Sequence, residues 1–229
     1  MKSKTLTFLL SIAMLLLCSC DDEPFDADSG TFVDSRDNHE YQWVKIGEQI
    51  WMAENLAYIP DDVCELDSQC GTWIYDYSGE GSYGVNYQIY GCLYDWETAQ
   101  QVCPEGWHLP SDEEWMELER FLGMPEDQLD RGTIRGQEAN VGGKLKEIGY
   151  SHWAQPNEGA TDESGFSALP AGVKLENRFS SINQSSYYWT SNSHSEIYAY
   201  HRMLRTVGQD VERDIKNKTN GLSIRCIKD

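Results

Sequence analysis

Hydrophobic and polar positions alternate along residues 41–52, YQWVKIGEQIWM. Alternation with a period of two on both sides of a Gly47-Glu48 turn predicts a β-hairpin. Its core candidates are Val44, Ile46, Ile50 and Met52. Near the other end of the chain, residues 197–204 and 221–229 show the same pattern. We expect further strands there, and Leu222, Ile224 and Cys226 would share one face because side chains alternate along a strand.

Two segments between these strands have the pattern of short helices. Residues 95–103, DWETAQQVC, place Trp96, Ala99 and Cys103 on one side, and Pro104 would end that helix. A second helix begins at Ser111, which forms a capping box with Glu114. Its predicted apolar face and its C-terminal stop are Trp115, Leu118, Leu122 and Gly123. Strands combined with short helices predict an α+β fold.

The first 20 residues have the pattern of a lipoprotein export signal. Lys2 and Lys4 precede an apolar run over residues 6–17, which is too short to remain as a membrane-spanning helix. The next four residues, Leu-Cys-Ser-Cys at 17–20, resemble a bacterial lipobox. We therefore expect a signal peptide over residues 1–19 and a lipid, palmitate among its acyl chains, on Cys20. The alternative is an ordinary signal peptide that contains two cysteines.

Acidic residues dominate the chain, with a net charge of −20 at pH 7. Without residues 1–19 the chain has 16 basic and 38 acidic residues, a net charge of −22. Nucleic acid is therefore not an expected partner, because affinity for phosphate needs clustered Lys and Arg. Residues 20–38 are acidic and poor in large apolar side chains, which predicts a lipidated, flexible linker before a single domain over residues 39–229.

The membrane that holds the lipid depends on the residues after Cys20. Asp21-Asp22-Glu23 resembles the acidic export signals of surface lipoproteins in Bacteroidetes-type bacteria. In other Gram-negative groups an aspartate at this position favours retention in the inner membrane. We expect an exported protein anchored to the cell envelope by its N-terminal lipid, at the outer membrane and exposed on the cell surface.

The cysteines also indicate an exported protein. With Cys20 assigned to the lipid, an odd number remains after the signal, namely Cys64, Cys70, Cys92, Cys103 and Cys226. Cys64 and Cys70 flank a short acidic loop, and we expect them to form a local disulfide. A zinc site built on Cys103 and His108 is disfavoured, because no second cysteine or histidine pair has suitable spacing. We expect His108 to be buried and hydrogen-bonded to backbone.

Several sequence blocks together resemble the Fibrobacter succinogenes major paralogous domain. The blocks are DSRDNHEYQWVKIGEQIWMAENL, GCLYDWETAQQVCPEGWHLPSDEEWMEL, GATDESGFSALPAG, YYWTSN and GLSIRCIKD, and they cover about residues 34–229 in order. The resemblance implies a disulfide-stabilised fold similar to the C-type-lectin-like and formylglycine-generating-enzyme group. It also implies a disulfide between Cys103 and Cys226. Cys92 would then be a free, buried thiol, or else pair with one of those two cysteines.

The resemblance raises an enzymatic alternative, a metal-dependent oxidoreductase of the formylglycine-generating type. The copper-dependent members use two nearby cysteines late in the chain, and only Cys226 is present there. A related iron branch uses two histidines and a carboxylate, for which His194, Glu196 and His201 are the candidates. In a regular strand residues 194 and 196 point to one face and residue 201 to the other, so a bulge would be needed.

A lectin-like alternative rests on residues 155–157, Gln-Pro-Asn. This tripeptide resembles the motif through which many C-type lectins hold calcium and a sugar, and Gln155 and Asn157 would supply oxygen ligands. The later Trp-Asn-Asp element of those lectins is absent, and Trp189 begins the nearest match. A polar surface loop is the competing interpretation. We expect no cofactor for a simple binding role, and calcium is the cofactor that a lectin site would bring.

A second candidate surface is the tyrosine-rich segment over residues 71–91. Its mixture of Tyr, Trp, Gly and Ser is typical of recognition loops, in which rigid amphipathic rings sit on an adaptable backbone. Trp73, Tyr75, Tyr77 and Tyr83 would contact a ligand, or half of them would cover the core instead. We expect a non-catalytic role overall, in which a lipid-anchored domain presents a binding surface to a glycan, to matrix or to a cell-surface protein.

Overall fold

The computed structural model describes residues 28–79 and 82–229. This part of the chain is rich in sheet, and every pairing between its named strands is antiparallel. The strands are β1 Ser29–Val33, β2 Glu40–Ile46, β3 Gln49–Met52, β4 Thr72–Trp73, β5 Leu93–Tyr94, β6 Trp107–His108, β7 Thr133–Arg135, β8 Val173–Leu175, β9 Arg178–Ser180, β10 Ser185–Ser193, β11 Tyr198–Arg205, β12 Val211–Asn217 and β13 Ile227–Lys228. The helices are α1 Gly84–Tyr90, α2 Trp96–Ala99, α3 Asp112–Phe121 and α4 Val141–Leu145, with a 3₁₀ turn at Glu126–Gln128.

A five-stranded sheet in the order β1-β2-β3-β13-β6 joins the two ends of the domain. The predicted β2–β3 hairpin is confirmed, and Gly47 occupies its turn with φ 64°. The predicted core residues do not share one face, however. Val44 and Ile46 pack into one hydrophobic cluster, while Ile50 and Met52 pack into another. Across the turn, even-numbered residues of β2 lie on the same face as odd-numbered residues of β3. Apolar residues therefore cover both faces of this part of the sheet.

A four-stranded sheet in the order β10-β11-β12-β7 forms the second layer. Its strand β11 confirms the strand predicted over residues 197–204, displaced by one residue. The segment over residues 221–229 is only partly a strand, because regular pairing is limited to Ile227–Lys228. Leu222, Ile224 and Cys226 are nevertheless fully buried in one cluster, as the period-two pattern predicted.

Strand β1 lies within the predicted linker. Residues 29–33 pair with β2 along their whole length, so the ordered sheet begins ten residues before the predicted domain boundary at residue 39. Hydrogen bonding to a partner strand holds this short, weakly apolar segment, a contact that local composition does not reveal. The signal peptide over residues 1–19 and the lipidated Cys20 lie outside the described residues. Within the described ranges, no helix has the length and apolar character needed to cross a membrane.

The two predicted helices form where the sequence places their starts. The Ser111 hydroxyl accepts the Glu114 N–H at 3.1 Å, and the Glu114 carboxylate accepts the Ser111 N–H at 2.7 Å, which completes the capping box at α3. The first helix, α2, is shorter than predicted and ends at Ala99. The Gln101 N–H bonds to the carbonyl of Thr98, three residues back, so the chain tightens into a turn before Pro104.

A buried ion-pair network joins α3 to the four-stranded sheet. One oxygen of Glu119 accepts from Arg135 and from Arg202, each at 2.7 Å, and these three side chains are fully buried. Asp112 pairs with Arg202 at 2.5 Å and with Arg213 at 2.6 Å. Three guanidinium groups therefore share two carboxylates, and neither acid can be lost without leaving a buried positive charge unpaired.

Two disulfides are present, and they are the pairs expected. The first joins Cys103, after α2, to Cys226 beside the last strand, across 123 residues of chain. The second joins Cys64 to Cys70 across six residues. Cys92 is a free, fully buried thiol. Burial raises its pKa to about 12, because the thiolate would lose its hydration.

Candidate ligand-binding surface

The tyrosine-rich segment divides into a buried half and an exposed half. Trp73 is fully buried, and Tyr75 is nearly so, in a hydrophobic cluster under the surface. Tyr77 is half-buried and Tyr83 is exposed. Together with the half-buried Tyr87, which the sequence interpretation did not single out, they form a group that we call the tyrosine cluster. The sequence left open whether these aromatic side chains are exposed or cover the core, and the segment contains rings of both kinds.

The three rings of the tyrosine cluster hold one another at fixed angles. The Tyr77 and Tyr83 ring centroids are 5.3 Å apart, with the rings edge to face at 74°. Tyr83 and Tyr87 are also 5.3 Å apart, with an interplanar angle of 58°. Burial, and after it the neighbouring Cys92 and Asp37, raises the pKa of Tyr87 to about 12. Neutral phenols can both donate and accept hydrogen bonds, so the cluster offers apolar faces and polar tips together.

Helix α1 fixes the position of the cluster. Tyr83 precedes the helix and Tyr87 lies one turn later, which places the two rings on the same side. The Asn86 amide donates to the Tyr75 carbonyl at 3.0 Å, and the Asn183 amide donates to the Tyr90 hydroxyl at 2.8 Å. Both ends of this short helix are therefore fastened to the body of the domain.

An acidic cleft of about 470 Å³ adjoins the tyrosine cluster and shares Tyr77 with it. Its other polar and aromatic walls include Glu65, Asp67, Asp76, Asn177 and Phe179. The Cys64–Cys70 disulfide closes the loop that carries the first two acids. The Trp73 indole donates to the Glu65 carbonyl at 3.3 Å, which ties this loop to the core. The cleft thus combines carboxylate acceptors with aromatic surface, and the disulfide and the indole hydrogen bond fix the position of its loop.

A sequence model of the Fibrobacter succinogenes major domain matches residues 44–228, which is most of the chain. The chain belongs to the Fibrobacter succinogenes major domain family. No curated protein and no solved structure matches the chain. Strand β1 precedes the matched range, although it is part of the same sheet.

The most distinctive block of this major domain, residues 103–115, has structural contacts throughout. Cys103 is in a disulfide, which removes it from any zinc site, and Ser111 caps α3. His108 is not buried against backbone as expected. Its ring nitrogens contact the carboxylates of Asp229 at 2.6 Å and Glu114 at 2.8 Å, and 41% of its side chain is exposed. The sequence predicted only a capping role for Glu114, which also supplies a charged partner to His108.

The lectin-like tripeptide, residues 155–157, is hydrogen-bonded through Asn157 to residues 147 and 149. Asn157 is buried, and its amide nitrogen donates to the carbonyls of Glu147 and Gly149, each at 2.9 Å. The Asp162 carboxylate accepts from the backbone and hydroxyl of Ser167. Across residues 28–79 and 82–229, no three His, Cys, Asp or Glu side chains are grouped as a metal site would require. The amide of Asn157 is therefore engaged in holding this loop together.

Within residues 28–79 and 82–229, the alternative iron ligands His194, Glu196 and His201 are not grouped as a metal site would require. His201 is buried in β11 and stacks on Tyr187 with ring centroids 5.9 Å apart. Burial lowers the pKa of His201 to about 3. His194 lies in the turn before β11, where its ring contacts the Tyr200 hydroxyl at 3.0 Å. Glu196 is in the same exposed turn. The strand geometry separates the two histidines, and no bulge brings them together.

The sequence interpretation missed three features of the surface. Tyr83 and Tyr87 are spaced i, i+4, a helical signal within a segment that was treated only as a loop. Asp76 and the more distant Asn177 complete the acidic cleft. Asn177 comes from the turn between β8 and β9, and nothing local in the sequence links that turn to the tyrosine-rich segment.

Proposed function

We propose that this major domain is a non-catalytic glycan-binding module anchored to the bacterial cell envelope through a lipid on Cys20. The tyrosine cluster is the observation that carries the proposal. Tyr77 and Tyr87 pack against the core and stay partly exposed, and the exposed Tyr83 ring contacts both of them. Rigid, exposed aromatic side chains contribute contact area at low conformational cost, which is the property that recognition surfaces use.

The chemistry of the adjoining cleft favours a glycan as the ligand. Aromatic faces pack against the apolar C–H faces of sugar rings, and carboxylates accept hydrogen bonds from sugar hydroxyls. Tyr77 belongs to both features, so one saccharide chain could contact the cluster and the cleft at once. Glu65, Asp67 and Asp76 would repel a negatively charged group, which restricts this part of the site to neutral or amine-bearing sugars.

The geometry of β1 supports an outward orientation of the site. The chain runs from the proposed anchor at Cys20 toward β1. It enters β1 at Ser29 and leaves at Val33. Arg36 follows, and its guanidinium stacks over Tyr58 at 3.7 Å. Asp37 is close enough to Tyr87 to raise the pKa of its phenol, after burial and Cys92. The tyrosine cluster is thus near the end of β1 opposite to the proposed anchor.

We further propose that the fold is related to the C-type-lectin-like group. Support comes from β13, which lies between β3 and β6 and brings the chain end into the first sheet. The Cys103–Cys226 disulfide fastens the same end. A binding face built from loops on such a scaffold matches the general rule that recognition residues lie on loops held by a rigid framework.

Glycan binding can be tested with the full chain in mild detergent on a glycan array, followed by titration of each hit. Tyr83→Ala should weaken binding about fivefold or more, because one exposed ring contributes on the order of 1 kcal/mol. Tyr150→Ala is the control, since Tyr150 is an exposed tyrosine outside the tyrosine cluster, at 60% exposure against 37% for Tyr83. Absence of any glycan hit, or equal loss in both variants, would refute the proposal.

The same array with a calcium chelator distinguishes binding at the tyrosine cluster from calcium-dependent binding at the lectin-like tripeptide. Binding through the tyrosine cluster should persist, because its contacts need no metal. Loss of binding in chelator, with Tyr83→Ala unaffected, would instead assign the ligand to the loop around Gln155.

Lipidation can be tested separately by labelling cells with an alkyne fatty acid. Cys20→Ser should abolish the label, and Cys18→Ser should retain it; the reverse pattern would contradict the assignment.

A further inference from the structure

A second pocket, of about 530 Å³, lies beside the turn of the β8–β9 hairpin. We call it the asparagine pocket. Its walls come from the hairpin and from the end of β12 with the turn after it, namely Leu175, Glu176, Asn177, Arg178, Asn217 and Asn220. Asn177 also lines the acidic cleft, so the two depressions meet at the hairpin turn.

Unused hydrogen-bond donors distinguish the asparagine pocket. Asn220 is only 7% exposed, yet its carboxamide makes no hydrogen bond with the described part of the chain. Both carboxamide atoms of Asn220 reach solvent, so a ligand in the pocket could replace water as their hydrogen-bond partner. Asn217 accepts from the Thr219 N–H and hydroxyl through its oxygen, each at 3.0 Å, which leaves its amide nitrogen to donate.

The asparagine pocket contains one acid, Glu176, and one base, Arg178, whereas the charged walls of the neighbouring cleft are all acidic. The Arg178 guanidinium has no carboxylate within ion-pair distance among the described residues. In a chain with net charge −20, an unpaired arginine beside three carboxamides is unexpected. The planar fork of arginine matches a carboxylate through two parallel hydrogen bonds, and carboxamides match pairs of sugar hydroxyls.

We infer that the asparagine pocket binds the carboxylate-bearing residue of a glycan, a uronic acid, while the acidic cleft holds a neutral sugar of the same chain. Arg178 would bind the carboxylate, and the amides of Asn217 and Asn220 would bind ring hydroxyls. Asn177, between the two depressions, would contact both sugars. The inference rests on the glycan-binding function proposed above and specifies which class of glycan the face selects.

The test compares uronate oligosaccharides with their neutral methyl esters by titration calorimetry on the full chain in mild detergent. Galacturonate, glucuronate and mannuronate oligomers cover the common stereochemistries, and each methyl ester removes the charge, adds one methyl group and keeps the ring stereochemistry. At least one uronate should bind about tenfold more tightly than its ester, since hydrogen bonds to a charged group are the stronger ones. Sulfated neutral oligomers form a third arm, and a preference for these would overturn the carboxylate assignment.

Two variants and a control localise the effect. Arg178→Gln should lower uronate affinity about tenfold and leave ester affinity unchanged. Asn220→Asp keeps the side-chain shape but should weaken uronate binding through repulsion, with its unfolding midpoint checked for integrity. Arg131→Gln is the matched control, because Arg131 is also exposed but pairs with Asp127. Equal affinity for uronates and esters, or no change in Arg178→Gln, would overturn the inference.

The outcomes also separate this inference from the proposed function. Neutral glycans that bind and lose affinity in Tyr83→Ala, with no uronate preference, would leave the function standing and remove the inference. Failure of every oligosaccharide would remove both.

Discussion

Replacing Glu119 with alanine should strongly destabilise the domain. The change removes the single carboxylate bonded to Arg135 and one of the two bonded to Arg202, both fully buried. Breaking a buried pair by removing one partner costs about 3–5 kcal/mol, because an unpaired charge stays in the interior. Arg202 keeps Asp112 at 2.5 Å, so most of the loss falls on Arg135. Native domains have a free energy of unfolding of about 5–15 kcal/mol. The variant should therefore be close to unfolding.

The assay is thermal unfolding, followed by fluorescence, of a soluble form that begins at Asp21. Glu119→Ala should lower the melting temperature by about 6–20 °C, at about 2–4 °C per kcal/mol for a domain of this size. Glu117→Ala is the control, because Glu117 is exposed on the same helix and should change stability by about 0.5 kcal/mol or less.

A second variant checks the electrostatic reasoning. Glu119→Gln preserves the shape and one hydrogen-bond acceptor but removes the charge. Its loss of stability should therefore lie between those of the other two variants, at about 1.5–3 kcal/mol. Glu119→Ala with the stability of Glu117→Ala would refute the claim that the network depends on this carboxylate. A glutamine variant as stable as the original would show that shape, and not charge, holds the arginines.

Three further predictions concern the histidine and the cysteines. Burial lowers the pKa of His108, but two carboxylate hydrogen bonds outweigh it and raise the pKa above the ordinary 6.5. His108→Gln should therefore cost stability below pH 6.5 and progressively less as pH rises through the folded-state pKa; a constant difference from pH 5 to 9 would contradict this. Replacing Cys103 and Cys226 by serine should cost about 2–5 kcal/mol in urea unfolding, because the bond closes a 123-residue loop; a loss under about 1 kcal/mol would exclude this effect. Cys92 should resist a thiol reagent in the folded soluble form and react fully in urea, and immediate native reaction would disprove its burial.

Elements with complete local signals could be predicted from the sequence. The capping box at Ser111 and the apolar spacing after it define α3 without help from distant residues. The Gly47 turn defines the β2–β3 hairpin in the same way. Burial of these elements was harder to predict, because both faces of the hairpin are covered. Strand β1 was missed, since pairing with β2 is its main stabilising contact.

The roles of individual polar residues depended on distant partners. Asp112 looked like a charge at a helix N-terminus, yet it also bonds to Arg202 and Arg213, which are about a hundred residues away. The sequence predicted Asn157 as a ligand through its side-chain oxygen, and the fold engages its amide nitrogen with the carbonyls of Glu147 and Gly149. Residue type and spacing describe what a side chain can bind, whereas the fold decides which partner is present.

The same distinction separates the scaffold of this family domain from its candidate binding face. Cys103, His108 and Ser111, from the most recognisable block, are each paired with a structural partner. Tyr83 directly precedes α1 and Arg178 begins β9 beside the hairpin turn, and both side chains are exposed. Because the scaffold residues are satisfied internally, changing them should alter stability more than specificity. Loop residues have few internal contacts to lose, so ligand choice can change there while the folded core is retained.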